Sequence, residues 1–199
     1  ALEALLASRR IYADLHAQRD LAELRHRLDE IESEFLSVVR AWAESIEAKD
    51  HYTHGHCSRV ADLSMELARR LGFDDDALGW FRMGAFLHDI GKMQTPIEIL
   101  NKPGPLTATE AEVMQRHTVT GDEIVARLEF PWDIRPIVRS HHERWDGRGY
   151  PDGLAGEAIP LAARILCVAD TFDALTSDRP YRPALQFPEA MRRMALGSG

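Results

Sequence analysis

The pattern of the first 48 residues predicts one long helix, and its second half carries a single apolar stripe. From Leu21 onward, apolar residues recur at alternating intervals of three and four, and charged or polar residues fill most positions between them. This spacing is typical of the a and d positions of a coiled-coil heptad, and it continues for about three heptads. The stripe consists of Leu21, Leu24, Leu28, Ile31, Phe35, Val38 and Trp42.

Two interpretations of this stripe are open. Its residues could form a seam with a second copy of the chain, or they could pack against the chain's own domain. The two are equally supported before Leu28, whereas packing on the domain is favoured from Phe35 onward. Residues 1–20 keep a helical composition but lose the stripe. We therefore expect a helical linker at residues 1–48 that forms a parallel homodimer, followed by a domain at residues 49–199.

The second region alternates apolar helical segments with loops rich in Gly and Pro. No segment alternates convincingly with period two, so the pattern predicts an all-α fold. Gly72 and Gly91 are typical of helix ends, and Thr107 with Glu110 is typical of a capping box that begins a helix. The predicted helices cover residues 60–71, 76–90, 121–128, 134–143 and 161–175, together with the one that begins at 107, and the predicted loops cover residues 93–106 and 145–158.

Composition and charge exclude several classes of function. The chain has 199 residues, of which 45% are hydrophobic and 28% charged, and its net charge of -8 argues against a broad surface for a nucleic-acid polymer. No apolar run approaches the roughly 20 residues that span a bilayer, and no signal peptide opens the chain. Cys57 and Cys167 lack the spacing of a disulfide framework or a zinc knuckle, so we expect a reduced, cytoplasmic protein. Since the chain begins with Ala1 rather than Met, we also expect a fragment, and a membrane anchor could lie upstream.

Nine histidines are present, and several of them stand beside carboxylates. Imidazole and carboxylate donors without thiolates suit Mn, Fe, Zn or Ni. Any one of these histidines alone could equally be a core residue, but together the candidates exceed the needs of one ion. Two ions that share a carboxylate would use them all, and such a site activates a water for in-line attack on phosphorus. The candidates are His56, His88, Asp89, His117, His141, His142 and Asp170; His16, His26 and His51 are expected to be solvated, and His54 is ambiguous.

Cations and an aromatic residue near these histidines could contact a phosphorylated substrate. Lys92 follows Gly91 and could meet a phosphate oxygen, or it could complement the dipole at a helix end. Tyr150, in the glycine-rich loop, could stack on a base or simply pack on the domain. Arg179 and Arg182 suit bidentate phosphate binding, although a solvated or salt-bridged pair is an equal alternative.

Three motifs in this order resemble the HD-GYP family of the HD phosphohydrolase superfamily. They are HD followed by GK, then HHERWDGRGYP, then ADTFDALTSDRPYR, and the match runs from about residue 49 to about residue 194. Members of that family are metal-dependent phosphodiesterases that open cyclic di-GMP to linear pGpG, and in some cases continue to GMP. The resemblance implies an HD-domain helical bundle, a hydroxide that bridges two ions as the nucleophile, and Fe or Mn as the ions, with Ni or Zn as alternatives.

The resemblance also implies a role for each candidate. The first ion would be held by His56, His88, Asp89 and Asp170, and Asp89 would bridge to a second ion held by His117, His141 and His142. Lys92, Arg179 and Arg182 would contact phosphate, Asp89 and Lys92 would be the catalytic residues, and Tyr150 would line the nucleotide side. A GGDEF-type protein partner would bind at the GYP loop, which we define as residues 145–158.

Two departures from the family pattern affect these expectations. Some members hold a third ion through a Glu four residues before the first histidine, but that position is Tyr52 here, so we expect two ions. The chain ends at Gly199, where the family's domain usually continues, so we expect its C-terminal edge to be missing.

Two other functions are alternatives. One is a catalytically silent receptor for cyclic di-GMP, although the complete set of seven ligands weighs against it. The other is an HD phosphohydrolase for another cyclic dinucleotide, such as a cyclic GMP-AMP. The GYP loop and the arginine pair favour a dinucleotide over a mononucleotide.

Overall fold

The computed structural model describes residues 2–50, 55–128, 130, 132–178 and 183–197, with the side chains of residues 2–7, 9–11 and 13 left aside. Nine α-helices and two short 3-10 helices form this described part, and it contains no strand, so the predicted all-α fold is confirmed. The α-helices are α1 Leu2–Glu47, α2 His56–Arg70, α3 Asp75–Leu87, α4 Ile97–Leu100, α5 Ala108–Gln115, α6 His117–Val125, α7 Arg135–Ser140, α8 Leu161–Thr176 and α9 Phe187–Gly197; the 3-10 helices are Ile90–Gln94 and Gly156–Ala158.

The chain divides into two units, residues 1–38 and residues 39–199, and α1 contributes to both. In the first unit the apolar stripe of α1 is exposed to solvent. Phe35 and Val38 are also exposed, by 39% and 65%, whereas Trp42 is half-buried, so the preference for packing on the domain from Phe35 onward is wrong for the first two of these residues. In the second unit the buried face of α1 begins at Val39 and continues at Ala43 and Ile46. A straight helix has 3.6 residues per turn, so its buried face does not follow a stripe of period 3.5.

The core of the second unit is an apolar layer between α2, α3, α7 and α8. Helix α2 packs against α3 and α8, while α7 packs against both α3 and α8. Val60, Phe81, Leu87, Ile137 and Leu166 have almost no solvent-exposed surface. Burial of one such side chain contributes about 1.5–3 kcal/mol, so this layer fixes the relative positions of the four helices.

Several helix ends differ from the predicted ones. Helix α2 begins at His56, four residues before the predicted start, and α6 begins at His117 rather than Gly121. Helices α3 and α7 end earlier than predicted, so that Asp89 lies in a turn between α3 and a 3-10 helix. The helix ends were predicted from apolar residues, so polar residues at the ends were assigned incorrectly. The candidate ligands are among these polar residues. Helix α4, inside a predicted loop, and α9 were not predicted.

The predicted capping box is confirmed, whereas Gly91, which was predicted to end a helix, lies inside the 3-10 helix Ile90–Gln94. Thr107 is the N-cap of α5, and its side chain and that of Glu110 make both hydrogen bonds of a capping box. The 3-10 helix after Asp89 packs closely on α6, because a Cβ atom at Gly91 would overlap the carbonyl oxygen of His117. The absence of a side chain at Gly91 therefore brings the candidate ligands of α3 and α6 together.

Candidate metal centre

All seven predicted ligands come together in two adjoining groups inside the second unit. Within each group, one ligand atom from every residue lies within 4.8 Å of the others. Most of these residues stand at helix ends, where side chains from separate helices converge on one point; Asp170 lies within α8 instead. The first group is His56, His88 and Asp170, and the second is Asp89, His117, His141 and His142.

The carboxylate of Asp89 faces both groups. Its Oδ2 atom lies 3.3 Å from Nε2 of His88, which belongs to the first group. Its Oδ1 atom lies 3.3 Å from Nε2 of His117 and 3.9 Å from Nε2 of His141, which belong to the second. A carboxylate in this position would be able to bridge two ions.

Three of the histidines are held in one tautomer by backbone carbonyl groups. The Nδ1 atoms of His88, His117 and His141 each lie within hydrogen-bond distance of the carbonyl oxygen three residues earlier. A carbonyl oxygen only accepts, so each Nδ1 carries the hydrogen and each Nε2 keeps a lone pair. The acceptors are the oxygens of Ala85, Met114 and Val138, at 2.7, 2.7 and 2.8 Å.

The lone pairs point at one another in the interior. Nε2 of His88 and Oδ1 of Asp89 are fully buried and have no hydrogen-bond partner among the described residues. Nε2 of His117 lies 3.3 Å from Nε2 of His141. Buried acceptors that face each other are costly unless a cation lies between them. The residues therefore fit divalent transition-metal ions.

Protonation at neutral pH also suits metal binding in the second group. Burial lowers the pKa of His117 and of His141, and it lowers the pKa of His142 to about 4. Burial alone would raise the pKa of Asp89, but the nearby Lys92 ammonium and histidines hold it well below its usual range. Neutral imidazoles and an ionised carboxylate are the forms that coordinate metals.

His56 lies between two carboxylates. Its Nδ1 donates to Oδ2 of Asp173 over 2.8 Å, and its Nε2 lies 3.3 Å from Oδ1 of Asp170. Burial alone would lower the pKa of His56, but hydrogen bonds to both carboxylates outweigh burial and raise it to about 9. Asp173 is itself buried and accepts a 2.6 Å hydrogen bond from Nε of Arg59.

Asp173 and Arg59 are residues of the candidate site that sequence analysis missed. A signal was available, because each follows a predicted ligand by three positions on the same helix: Asp173 follows Asp170, and Arg59 follows His56. Residues three apart on a helix share a face. A carboxylate behind a metal-binding histidine fixes the ring's orientation.

Lys92 lies against the bridging carboxylate. Its Nζ atom is 2.7 Å from Oδ2 of Asp89 and 3.9 Å from Oδ2 of Asp50. Burial alone would lower the pKa of Lys92, but the charge and hydrogen bond of Asp89 raise it, so this lysine is a stable cation beside the site. The predicted contact between Lys92 and phosphate remains a prediction.

The GYP loop folds back over His142. The ring of Tyr150 lies 4.8 Å from the ring of His142, and burial raises the pKa of the tyrosine. A Cβ atom at Gly149 would overlap the backbone of Arg144, so the loop requires glycine there. Glu143, another buried residue that sequence analysis missed, anchors the loop by accepting hydrogen bonds from the backbone N–H groups of Asp152, Gly153 and Leu154.

Some predicted residues lie outside this centre. His16 and His26 are exposed on α1, as expected for solvated histidines. Five others fall outside the described residues: His51, Tyr52, His54, Arg179 and Arg182.

An all-α domain whose helix ends bring seven histidine and aspartate ligands into two adjoining groups is typical of HD phosphohydrolases. Comparison with protein families matches residues 17–199 to the HD domain. The chain belongs to this family, and the resemblance noted from the sequence motifs is confirmed.

Curated proteins with similar sequences are named as cyclic dinucleotide phosphodiesterases. The chain is 43% identical over 176 residues to the "Cyclic di-GMP phosphodiesterase response regulator RpfG" of Xanthomonas campestris, covering 87% of this chain and 46% of that protein. It is 40% identical over 157 residues to the "3'3'-cGAMP-specific phosphodiesterase 3" of Vibrio cholerae, covering 79% of this chain and 34% of that protein. The chain thus spans less than half the length of each relative.

A solved structure shares the fold. The crystal structure of a cyclic GMP-AMP-specific phosphodiesterase from V. cholerae superposes with a TM-score of 0.61 at 19% identity, over 80% of this chain and 44% of that one. Among the described residues, no helix combines the length and apolar character needed to cross a membrane.

Proposed function

We propose that this chain is a metal-dependent phosphodiesterase that hydrolyses cyclic di-GMP to linear pGpG, with further cleavage to GMP as an alternative end point. One observation carries the proposal: the two oxygens of Asp89 face two separate groups of histidines, whose Nε2 atoms are oriented by backbone carbonyls. Relatives at 40–43% identity named as cyclic dinucleotide phosphodiesterases support the substrate class.

The donor set supports two ions without a thiolate ligand. Asp89 would belong to both sites, with His56, His88 and Asp170 completing the first site and His117, His141 and His142 completing the second. Histidine and carboxylate donors suit Fe, Mn, Ni or Zn, and among these the family resemblance favours Fe or Mn. Two such ions activate a water for attack and neutralise charge on the phosphate oxygens.

Hydrolysis forms a bond from the water oxygen to phosphorus and breaks the bond from phosphorus to the 3′ oxygen, which leaves with a proton. Lys92 places a positive charge beside Asp89, where negative charge develops on the phosphate in the transition state. By the family resemblance, Arg179 and Arg182 would hold phosphate oxygens. Tyr150, which packs against His142, would line the nucleotide side.

A 3'3'-cyclic GMP-AMP is a second candidate substrate, favoured by the 40% identity to a relative named for it.

In the decisive experiment, the protein is purified anaerobically, its metal content is measured, and the products are separated after incubation with each dinucleotide. Linear pGpG from cyclic di-GMP is the expected result, and a linear product from the cyclic GMP-AMP alone would identify the second substrate. Binding without a product would identify a silent receptor instead. Neither binding nor hydrolysis by protein that contains two ions would overturn the proposal.

We also propose that residues 1–48 act as a helical linker and that the exposed stripe of α1 forms a parallel homodimer. The stripe supports this, because Leu21, Leu24, Leu28 and Ile31 are each about half exposed and keep a heptad spacing. A GGDEF-type partner at the GYP loop stays a prediction. We propose the cytoplasm as the place of action, where a nucleotide messenger would be met.

A further inference from the structure

The first turn of α2 is capped by a side chain from a different helix. The residue before α2 is Gly55, which adopts a left-handed conformation with a φ of 72° and has no side chain to cap the helix. Glu47, the last residue of α1, supplies the acceptor instead. Its Oε1 atom accepts hydrogen bonds from the backbone N–H groups of His56 at 2.6 Å and Cys57 at 3.2 Å.

The position of Glu47 is itself well defined. Its side chain is buried, with the residue 7% exposed, and the turn of α1 before it is anchored in the core by Ala43 and Ile46. An acceptor at the N-cap stabilises the first turn of a helix, because it satisfies backbone N–H groups that have no partner within the helix. A carboxylate also interacts favourably with the positive end of the α2 dipole, and burial strengthens that interaction.

The residue held by this cap is His56, a member of the first ligand group. His56 is therefore fixed twice: Glu47 holds its backbone nitrogen, and Asp173 holds Nδ1 of its ring. The two contacts come from two different helices, α1 and α8. Loss of the contact from α1 would leave the ring hydrogen bond in place but release the backbone that carries it.

We propose that Glu47 is a positioning residue through which the end of α1 holds His56 in place for the first ion. The inference rests on the proposed function only in requiring that His56 binds an ion. Glu47 does not touch the ion or the substrate. It acts through the backbone of α2. The exposed stripe and Glu47 lie on one continuous helix, α1.

Three substitutions of Glu47 test separately the length of its side chain, its charge and the presence of an acceptor oxygen. Glu47→Gln keeps an oxygen at the same reach and removes the charge. Glu47→Asp keeps the charge but shortens the side chain by one methylene, so the oxygen no longer reaches both N–H groups. Glu47→Ala removes the acceptor. Glu66→Ala, on the exposed face of α2, is the matched control, because that glutamate pairs with Arg70 one turn away on the same helix.

The measurement is a titration of the metal-free protein with Mn²⁺, which gives the number of ions and the affinity of each site. Circular dichroism and thermal unfolding are recorded in parallel. We expect Glu47→Asp and Glu47→Ala to weaken one site about 10- to 100-fold, the range for groups that orient metal ligands, while the other site is unchanged. Glu47→Gln and Glu66→Ala should bind both ions as the wild type does.

Two results would overturn the inference. Unchanged affinities in Glu47→Asp and Glu47→Ala, or equal weakening of both sites with a lower unfolding temperature, would assign Glu47 a purely structural role. If Glu47→Ala does not fold, the comparison of Glu47→Asp with Glu47→Gln decides the question. A wild-type protein that binds no ion would overturn the proposed function and the inference together. If the wild type binds two ions, the variants test the role of Glu47 alone.

Discussion

His56 and Asp173 are 117 positions apart in the chain, yet Nδ1 of the histidine donates to Oδ2 of the aspartate over 2.8 Å. Arg59 holds the other oxygen of that carboxylate at 2.6 Å, so the carboxylate cannot turn away from the ring. The contact directs Nε2 of His56 towards Asp170 and the first ligand group.

We expect Asp173→Ala to lower the affinity of the first ion about 10- to 100-fold, because the ring of His56 loses its orientation. The second ion should bind normally, since the carboxylate of Asp173 pairs with His56 and Arg59, and neither belongs to the second group. Titration with Mn²⁺ measures both sites, and Asp62→Ala, an exposed aspartate of α2, serves as the control. Equal loss of both ions would contradict a role specific to His56.

Asp89→Ala should remove both ions or leave one, because its carboxylate contributes to both ligand groups. Hydrolysis should be abolished, while the helical circular dichroism spectrum persists. Metal analysis and product chromatography on the same preparation check the prediction. A fully metallated, active Asp89→Ala protein would eliminate the two-ion proposal.

Binding of the first ion should strengthen as the pH rises from 7 to 9. Without an ion, His56 has a pKa raised to about 9, so at pH 7 it carries a proton that a metal must displace. The apparent affinity should therefore increase by up to about tenfold per pH unit and level off above pH 9.

The second site provides the internal control for this pH dependence. Its histidines have lowered pKa values and are already neutral at pH 7, so its affinity should stay nearly constant over the same range. Metal titrations at pH 7, 8 and 9 give both trends. A first site that is equally insensitive to pH would show that His56 is not a ligand.

Replacement of Arg179 and Arg182 by Ala should weaken cyclic di-GMP binding or turnover without changing metal content. A guanidinium group has only donors and does not coordinate an ion. Arg192→Ala is the control, because this exposed arginine pairs with Glu189 on its own helix. Unaltered kinetics in the double variant would assign the two arginines a solvated or structural role.

The linker helix should dimerise through its stripe. Leu28 and Ile31 are 56% and 62% exposed, and burial of each in a seam would contribute roughly 1.5–3 kcal/mol. Light scattering should give a dimer for the chain and a monomer for the variant that combines Leu28→Glu with Ile31→Glu. Glu32→Ala, a substitution between the stripe positions, should remain dimeric. A monomeric wild type at concentrations of tens of micromolar, on the order of weak-dimer affinities, would contradict the prediction.

The residues that sequence analysis missed have one property in common. Glu47 and Asp173 act on His56, and Glu143 acts on the GYP loop, each through a partner that the local pattern does not reveal. A buried carboxylate and a solvated one look the same in a sequence. Of these three, Asp173 had a usable signal, as Arg59 did, because it lies one helical turn after a predicted ligand.

Sequence by itself determined that this protein is all-α and which seven side chains form the candidate metal centre. Helical periodicity and Gly or Pro boundaries are local properties, and a cluster of histidine and aspartate motifs limits the chemistry directly. Tertiary structure alone decided which helix ends meet, which oxygen of Asp89 faces which histidine, and that Glu47 of α1 caps the helix of His56. These contacts join residues on separate helices, so they depend on how the apolar faces pack, and no spacing along the chain encodes them.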